Sequence, residues 1–335
     1  MHELKAAVIG TGGAARLHME SYAKSEKVFP VAVVSRSGER AREVAAQFGV
    51  EAYTDVETML ERERPDVVSV ATLEWEHEDP VVSALQAGAH VLCEKVMAHT
   101  LAAGERMVAM AARTGRTLGV NYNYRSVPSH ELIREELRRG GFGRPALFTA
   151  QMHAYLWPHL LDLMRFFFGD PVEVTAAMVD EQALRPPVSA GPQGRPWEYA
   201  ADSEMLYQPS MAVGAQFRYA QPDFLVSMSG SALVPLEQNF WSFALYGTED
   251  AVCVERATRA NLNGEARLGR LAERIAAMPE CSYAESFALS VGKFVEAVRA
   301  GRPAPVTGED GLAVMRLDAA MVQAARSGRA VKLSV

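Results

Sequence analysis

The 335-residue chain is 49% apolar and 22% charged, an ordinary globular composition that excludes wholesale disorder and is long enough for two cores. A formal net charge of −7 speaks against nucleic acid as a partner, and no apolar run reaches the length of a membrane span. Three scattered cysteines, Cys93, Cys253 and Cys281, exclude a disulfide framework or a thiolate zinc site and fit a reducing cytoplasm.

The chain enters a strand at once, 5–10, so no signal peptide is expected. A helix follows over 14–25, a strand over 29–35 and a helix over 38–49 stopped by glycine. A further helix covers 55–63. Strands at 65–72 and 89–94 flank a helix at 79–88, and a helix at 100–115 leads to a strand at 116–122. Strands regularly separated by helices predict right-handed crossovers and a parallel sheet, whose ligands bind beyond the carboxyl ends of the strands.

The loop after the first strand reads Gly10-Thr11-Gly12-Gly13-Ala14-Ala15. Gly10 permits a tight turn, Gly12 lets the backbone approach a pyrophosphate, and Ala15 allows close helix packing. The helix N-terminus then offers N–H groups to the anion. The second strand ends in Ser35-Arg36-Ser37, with Arg40 beyond and no carboxylate to hold a ribose 2′-hydroxyl. Two hydroxyls and a guanidinium suit a 2′-phosphate, which favours NADP over NAD. The alternative is that Arg36 stacks on adenine or lies in solvent.

After the stretch 121–129 the period changes. A helix is predicted over 131–141, a strand over 146–155 and a helix over 158–169. Strands follow at 172–179, 203–208, 211–219, 224–232, 240–247 and 251–255. The short connections 208–210 and 220–223 predict antiparallel hairpins. Residues 180–198, rich in Pro and Gly, read as a loop. Helices at 283–301 and 308–328 close the chain. The reading is an α/β chain in which residues 1–121 form a dinucleotide-binding domain. Residues 122–335 form an α+β domain with a largely antiparallel open sheet.

The motifs VIGTGGAARLH, HVLCEKVMA, NYNYR, HLLDLMRFFFGDP and PAPVTGEDGL, in this order over nearly the whole chain, resemble the Gfo/Idh/MocA family of nicotinamide-dependent sugar and inositol oxidoreductases. The resemblance implies an N-terminal Rossmann doubly wound sheet and a C-terminal domain whose open sheet often forms subunit interfaces, hence a homo-oligomer. Glu94-Lys95 match the family's Glu-Lys-Pro signature, with Val96 in place of proline. His159 matches the family's acid/base histidine, and Tyr155 stands where an aspartate is usual. By that match Lys95 reaches the substrate oxygen beside the nicotinamide. Ala71, Thr72 and His77 belong to the nicotinamide-ribose loop, with Leu73-Glu74 in place of the usual Pro-Asn. Asn123 and Arg125 match residues lining the cleft.

Hydride transfer from a secondary alcohol needs a base for the hydroxyl proton, and an ammonium favours charge developing on the oxygen. His159 ranks ahead of Tyr155 as that base, since a phenol titrates far above neutrality unless Lys95 lowers it. Tyr155 and Trp157 could instead wall the substrate, Trp157 by stacking on a sugar face. Asp162 is expected to face solvent or pair with Arg165. His77, Glu78 and Asp79 diverge, so no metal site is expected. The expected activity is NADP(H)-dependent oxidoreduction of a sugar, sugar derivative or cyclitol, in the cytoplasm. The alternatives are a reductase of a less polar carbonyl or dihydrodiol-type substrate, or a non-catalytic NADP-binding sensor.

Overall fold

The computed structural model describes residues 3–179, 202–205, 212–220, 224–231 and 241–333. These divide into two compact units: Met1–Asn123 with Ala284–Met315, and Tyr124–Tyr283 with Arg316–Val335.

The first unit is built on six parallel strands: β1 (Leu4–Ile9), β2 (Val28–Val34), β3 (Glu51–Tyr53), β4 (Val67–Val70), β5 (His90–Cys93) and β6 (Leu118–Val120). Their order, β3-β2-β1-β4-β5-β6, reverses direction between β1 and β4, where doubly wound sheets place a dinucleotide. Crossovers run through α1 (Gly13–Ala23), α2 (Gly38–Phe48), α3 (Val56–Glu63), α4 (Glu78–Gln86) and α5 (Leu101–Thr114). The strands carry apolar runs because both faces are covered; all four residues of β4 are buried. Local chemistry sets the helix ends. Ser37, Asp55 and Thr100 accept backbone N–H bonds as N-caps of α2, α3 and α5, and left-handed Gly49 and Gly115 end α2 and α5. Val8, Met19, Val44 and Leu92 share this core with Val291, Phe294 and Val295, which come from the far end of the chain.

Among the described residues the second unit holds eight strands: β7 (Pro145–His153), β8 (Glu173–Val179), β9 (Ala212–Arg218), β10 (Leu225–Ser231), β11 (Trp241–Gly247), β12 (Ala251–Ala257), β13 (Glu265–Arg267) and β14 (Val331–Lys332). Their order is β13-β12-β11-β7-β10-β9-β8-β14. The hairpin expected across 220–223 is formed by β9 and β10, and β11–β12 and β8–β9 are antiparallel as well. At the centre, however, β7 pairs parallel with β10, a long-range pairing that no turn specifies. The strand expected at 203–208 is not formed over 203–205; its remainder, the 208–210 connection and the 180–198 loop lie outside the described residues. Helix α7 (Trp157–Phe168) packs on β7 and helix α6 (Pro128–Arg138) packs on α7, and Phe148, Phe167 and Phe243 meet at ring distances of 5.7–6.2 Å. Helices α8 (Leu271–Ala276), α9 (Tyr283–Arg299) and α10 (Gly308–Ser327) complete the chain. Among the described residues no helix is long and apolar enough to cross a membrane.

Candidate active site

Strand register brings the first set of candidate residues together. Val34 pairs with Ile9, Ile9 with Val70, Val70 with Cys93, and Cys93 with Val120. Four parallel pairings in one row bring the next residues, Ser35, Gly10, Ala71, Glu94 and Asn121, out along a single carboxyl edge. Hydrogen bonds continue the row past the strands, from Gly10 N to Val34 O at 2.9 Å and from Ala71 N to Ile9 O at 2.8 Å.

Gly10 has φ +123°, and a Cβ there would lie 2.3 Å from the Ala71 carbonyl oxygen. Only glycine fits that turn without moving β4. Gly12 and Gly13 behave oppositely: a Cβ at either would meet nothing within 4 Å. That space lies directly over the start of α1, whose first turn has no side-chain cap and no acidic residue. Bare N–H groups beside an open backbone cradle fit a pyrophosphate. The Rossmann turn therefore suits a dinucleotide on its own geometry.

At the end of β2, Ser35 and Ser37 are half-buried and Arg36 and Arg40 exposed. The Ser37 hydroxyl caps α2 by accepting the Arg40 N–H at 3.4 Å, and Thr11 Oγ1 donates to Ser35 Oγ at 3.4 Å. Arg36 Nη2 pairs with Glu76 Oε1 at 2.6 Å although its side chain is 84% exposed. Both serines and both arginines remain near one edge, and Glu76 is an acidic neighbour that the reading of β2 did not foresee.

Beyond β4, Thr72 donates to the Glu76 carbonyl at 3.3 Å. His77 is buried, with Nδ1 3.1 Å from Val96 O and 3.2 Å from Met97 O, and Nε2 3.3 Å from Thr72 O. Burial holds its pKa below the ordinary histidine value, although the Met97 and Thr72 carbonyls oppose the shift. The ring thus links the backbone just after Lys95 to the β4 loop through these carbonyls. His77 works through backbone carbonyls in this structure. Glu74, in the same loop, has its pKa raised by burial, against the opposing charges of Lys95 and His99.

Lys95 itself is half-exposed at the sheet edge, between buried Glu94 and buried Val96, and the Lys95–Val96 peptide is cis. Glu94 is 6% exposed. Its Oε1 takes the Asn121 Nδ2 amide at 2.7 Å and lies 2.8 Å from His18 Nε2, while its Oε2 accepts the Lys95 N–H at 3.3 Å. Burial pushes the carboxyl pKa up, yet the His18, Asn121 and Lys95 interactions outweigh it and hold the group below the usual carboxylate value. His18 was not among the residues singled out from sequence. The available signal was a histidine beside Met19 and four residues before Tyr22 on a helix face that faces the core. Asn123, also buried in this unit, donates to Ser286 Oγ at 2.6 Å.

The second unit carries the other candidates. His159 lies in the first turn of α7, buried, its ring stacked on Tyr124 at 4.2 Å and 14°. Tyr155 precedes it in a short 3-10 turn and is half-buried. Trp157 is fully buried, packed on Gly230, so in this structure its indole is a core group and presents no open face. Arg125 is tied down as well. Its Nε donates to Asp162 Oδ1 and Oδ2 at 3.0 and 2.9 Å, and its Nη2 to Oδ1 at 2.6 Å. Asp162 neither faces solvent nor pairs with Arg165, as expected from spacing. It is buried on Arg125, while Arg165 takes Asp170 at 2.5 Å. A helix three residues deep offers Arg165 as a neighbour, but α7 turns Asp162 inward, where only a buried cation can match it. Among the described residues no group of His, Cys, Asp or Glu is placed to hold a metal.

Comparison with known proteins bears on both units. Residues 4–122 match the family model GFO_IDH_MocA, described as an oxidoreductase family with an NAD-binding Rossmann fold. The chain is 33% identical to a D-apiose dehydrogenase of Paraburkholderia graminis over 52% of each chain. It is 27% identical to a 1,5-anhydro-D-fructose reductase of Ensifer adhaerens over 90% of each. Its fold matches that of the WlbA dehydrogenase of Bordetella pertussis, solved with NADH and UDP-GlcNAcA, with a TM-score of 0.80 at 18% identity over the full length of both chains.

Proposed function

Since this chain belongs to the Gfo/Idh/MocA oxidoreductase family, we propose that it moves hydride between NADP(H) and a secondary alcohol or ketone of a sugar, sugar derivative or cyclitol. One observation carries the reading. The glycine cradle at Gly10–Gly13 and the Glu94-Lys95 pair project from the same carboxyl edge of one parallel sheet, in register with each other. The relatives named for apiose and anhydrofructose favour a polyhydroxylated substrate.

The nicotinamide, when bound, gives or accepts the hydride. The chain's own residues do the rest. The α1 N-terminus holds the pyrophosphate, and the open space over Gly12 and Gly13 lets backbone N–H groups reach it. Lys95 contacts the substrate oxygen, where an ammonium favours the charge that develops as the proton leaves. His159 takes or returns that proton. Ser35, Arg36, Ser37 and Arg40 hold a 2′-phosphate, with no carboxylate among residues 35–38. Arg36 must then share its guanidinium between the phosphate and Glu76, an exchange open to an exposed side chain.

A second assignment of the proton step rests on burial: the His159 ring is covered by Tyr124, whereas Tyr155 is half-exposed. The pH dependence of kcat/KM separates the two. A limb near neutrality that vanishes in His159→Asn supports the imidazole, and a limb found only in alkaline solution supports the phenol. The test of the whole reading is turnover of NADPH or NADP against a panel of sugars, their keto forms and inositols. Cofactor consumption with at least one polyol supports it. Cofactor binding without turnover of any of them overturns it in favour of a sensor, and activity confined to less polar dicarbonyls overturns the substrate class.

A further inference from the structure

A buried polar system occupies the first unit behind the Lys95 edge and takes no direct part in the hydride step. His18, on α1, is 0% exposed. Its Nε2 lies 2.8 Å from Glu94 Oε1 and its Nδ1 3.0 Å from Ser69 Oγ on β4. Ser69 Oγ in turn is 2.6 Å from the phenol oxygen of Tyr22, one turn further along α1. From the other side, Asn121 reaches the same Glu94 oxygen, and Ser290 Oγ on α9 donates to Asn121 Oδ1 at 2.8 Å. The ring of Phe287 closes over His18 edge-on at 5.5 Å.

One order of donors and acceptors satisfies this system throughout. Burial keeps the Tyr22 phenol protonated, raising its pKa well beyond the lowering by Ser69. Tyr22 then donates to Ser69, Ser69 to His18 Nδ1, and His18 Nε2–H to Glu94; Ser290 donates to Asn121, and Asn121 to Glu94. In this order every donor meets an acceptor. Two donor chains from α1, β4, β6 and α9 therefore converge on one carboxylate oxygen. The second oxygen is left for the backbone N–H of Lys95.

We infer that His18 is a positioning residue of the proposed reaction. With Asn121 it clamps Glu94 from both sides, and the clamped carboxylate fixes the peptide from which Lys95 projects. The helix that begins at the dinucleotide turn and the lysine that meets the substrate are thereby joined by one polar unit. The inference rests on the reading that Lys95 contacts the substrate oxygen. A catalytic ammonium set loose by about an ångström loses rate of the order of 100-fold, and the loss falls on kcat, because the cradle at Gly10–Gly13 is untouched.

The test compares His18→Leu, which removes both ring bonds, with His18→Gln, whose amide can reach Glu94 from the position of Nε2. Turnover, NADPH binding by fluorescence, and hydrogen exchange of the 94–98 backbone are measured on the full chain. The expected result for His18→Leu is a fall in kcat of roughly 10- to 100-fold, with faster exchange at 94–98 and NADPH affinity within about threefold of wild type. His18→Gln is expected to regain most of the kcat. A kcat unchanged in His18→Leu, an equal loss in NADPH affinity, or a His18→Gln no better than His18→Leu overturns the inference. Should His18→Leu fail to fold, Asn121→Ala, on the other side of the same oxygen, carries the same expectation and the same refutation. If the wild-type chain turns over no substrate, the functional reading fails, and unchanged exchange at 94–98 in His18→Leu still refutes the clamp by itself.

Discussion

His130 gives the second unit a calculable acid sensitivity. Its side chain is fully buried, its Nδ1 donates to the Tyr124 carbonyl at 2.7 Å, and its ring stands edge-on to Trp241 at 4.7 Å. Burial lowers its pKa to about 4, the Tyr124 bond opposing only in part. In the unfolded chain the imidazole titrates near 6.5. The unfolded state therefore takes up the proton first. The neutral ring contributes its full share of stability above about pH 6.5, and the share is lost as pH falls toward about 4. From about pH 7.5 to about pH 5 the loss amounts to roughly 2 kcal/mol. The assay is urea unfolding followed by tryptophan fluorescence at both pH values, for wild type and His130→Asn. Asparagine keeps an N–H for the Tyr124 carbonyl but does not titrate. It costs packing at both pH values alike, so the difference between the two pH values isolates the proton. His130→Asn should lose about 2 kcal/mol of pH dependence relative to wild type. An identical pH dependence in both proteins would refute the assignment of a neutral buried ring.

Asp162→Asn removes the charge opposite a buried guanidinium while keeping its shape. Stability should fall by about 3 kcal/mol, or roughly 6–12 °C in Tm for a unit of this size; calorimetry showing a loss under about 1 kcal/mol would mean the pair is solvated. Arg36→Ala should weaken NADPH by about 10-fold or more, as expected for a charged hydrogen bond, and leave NADH nearly unchanged; equal losses in fluorescence titrations would remove the phosphate contact. Glu76→Gln frees Arg36 from its ion pair and should tighten NADPH by a few-fold without changing NADH, and no shift in either would count against Glu76 as a competitor.

Much of the first sheet was legible because its signals are local. Short apolar runs such as 67–70, closed by turn residues, fix strands, and the glycines at 10, 12 and 13 sit where strand passes to helix. Glu94-Lys95 was visible as a charged pair breaking an apolar run. The missed elements, Glu51–Tyr53, Glu265–Arg267, Leu271–Ala276 and Val331–Lys332, are too short for any period to register. Long-range choices were illegible for a different reason. The apolar face of α9 says that Val291 and Phe294 are buried but not that they join the core of β1 and β5. The parallel pairing of β7 with β10 likewise has no turn to announce it. Arg125 looked like a ligand group and Asp162 like a surface partner of Arg165, since spacing cannot show a bond between residues 37 positions apart. His18 read as one more helical residue because its partner lies 76 positions away.

The most direct measurement pairs two assays on Lys95→Met, which removes the ammonium and keeps an unbranched side chain. NADPH binding should persist within a few-fold of wild type, while turnover of whichever polyol the wild type consumes should fall by about three orders of magnitude, the scale of a lost electrostatic contact to the reacting oxygen. Wild-type turnover in Lys95→Met would contradict the placement of the reacting carbon at the Glu94-Lys95 edge.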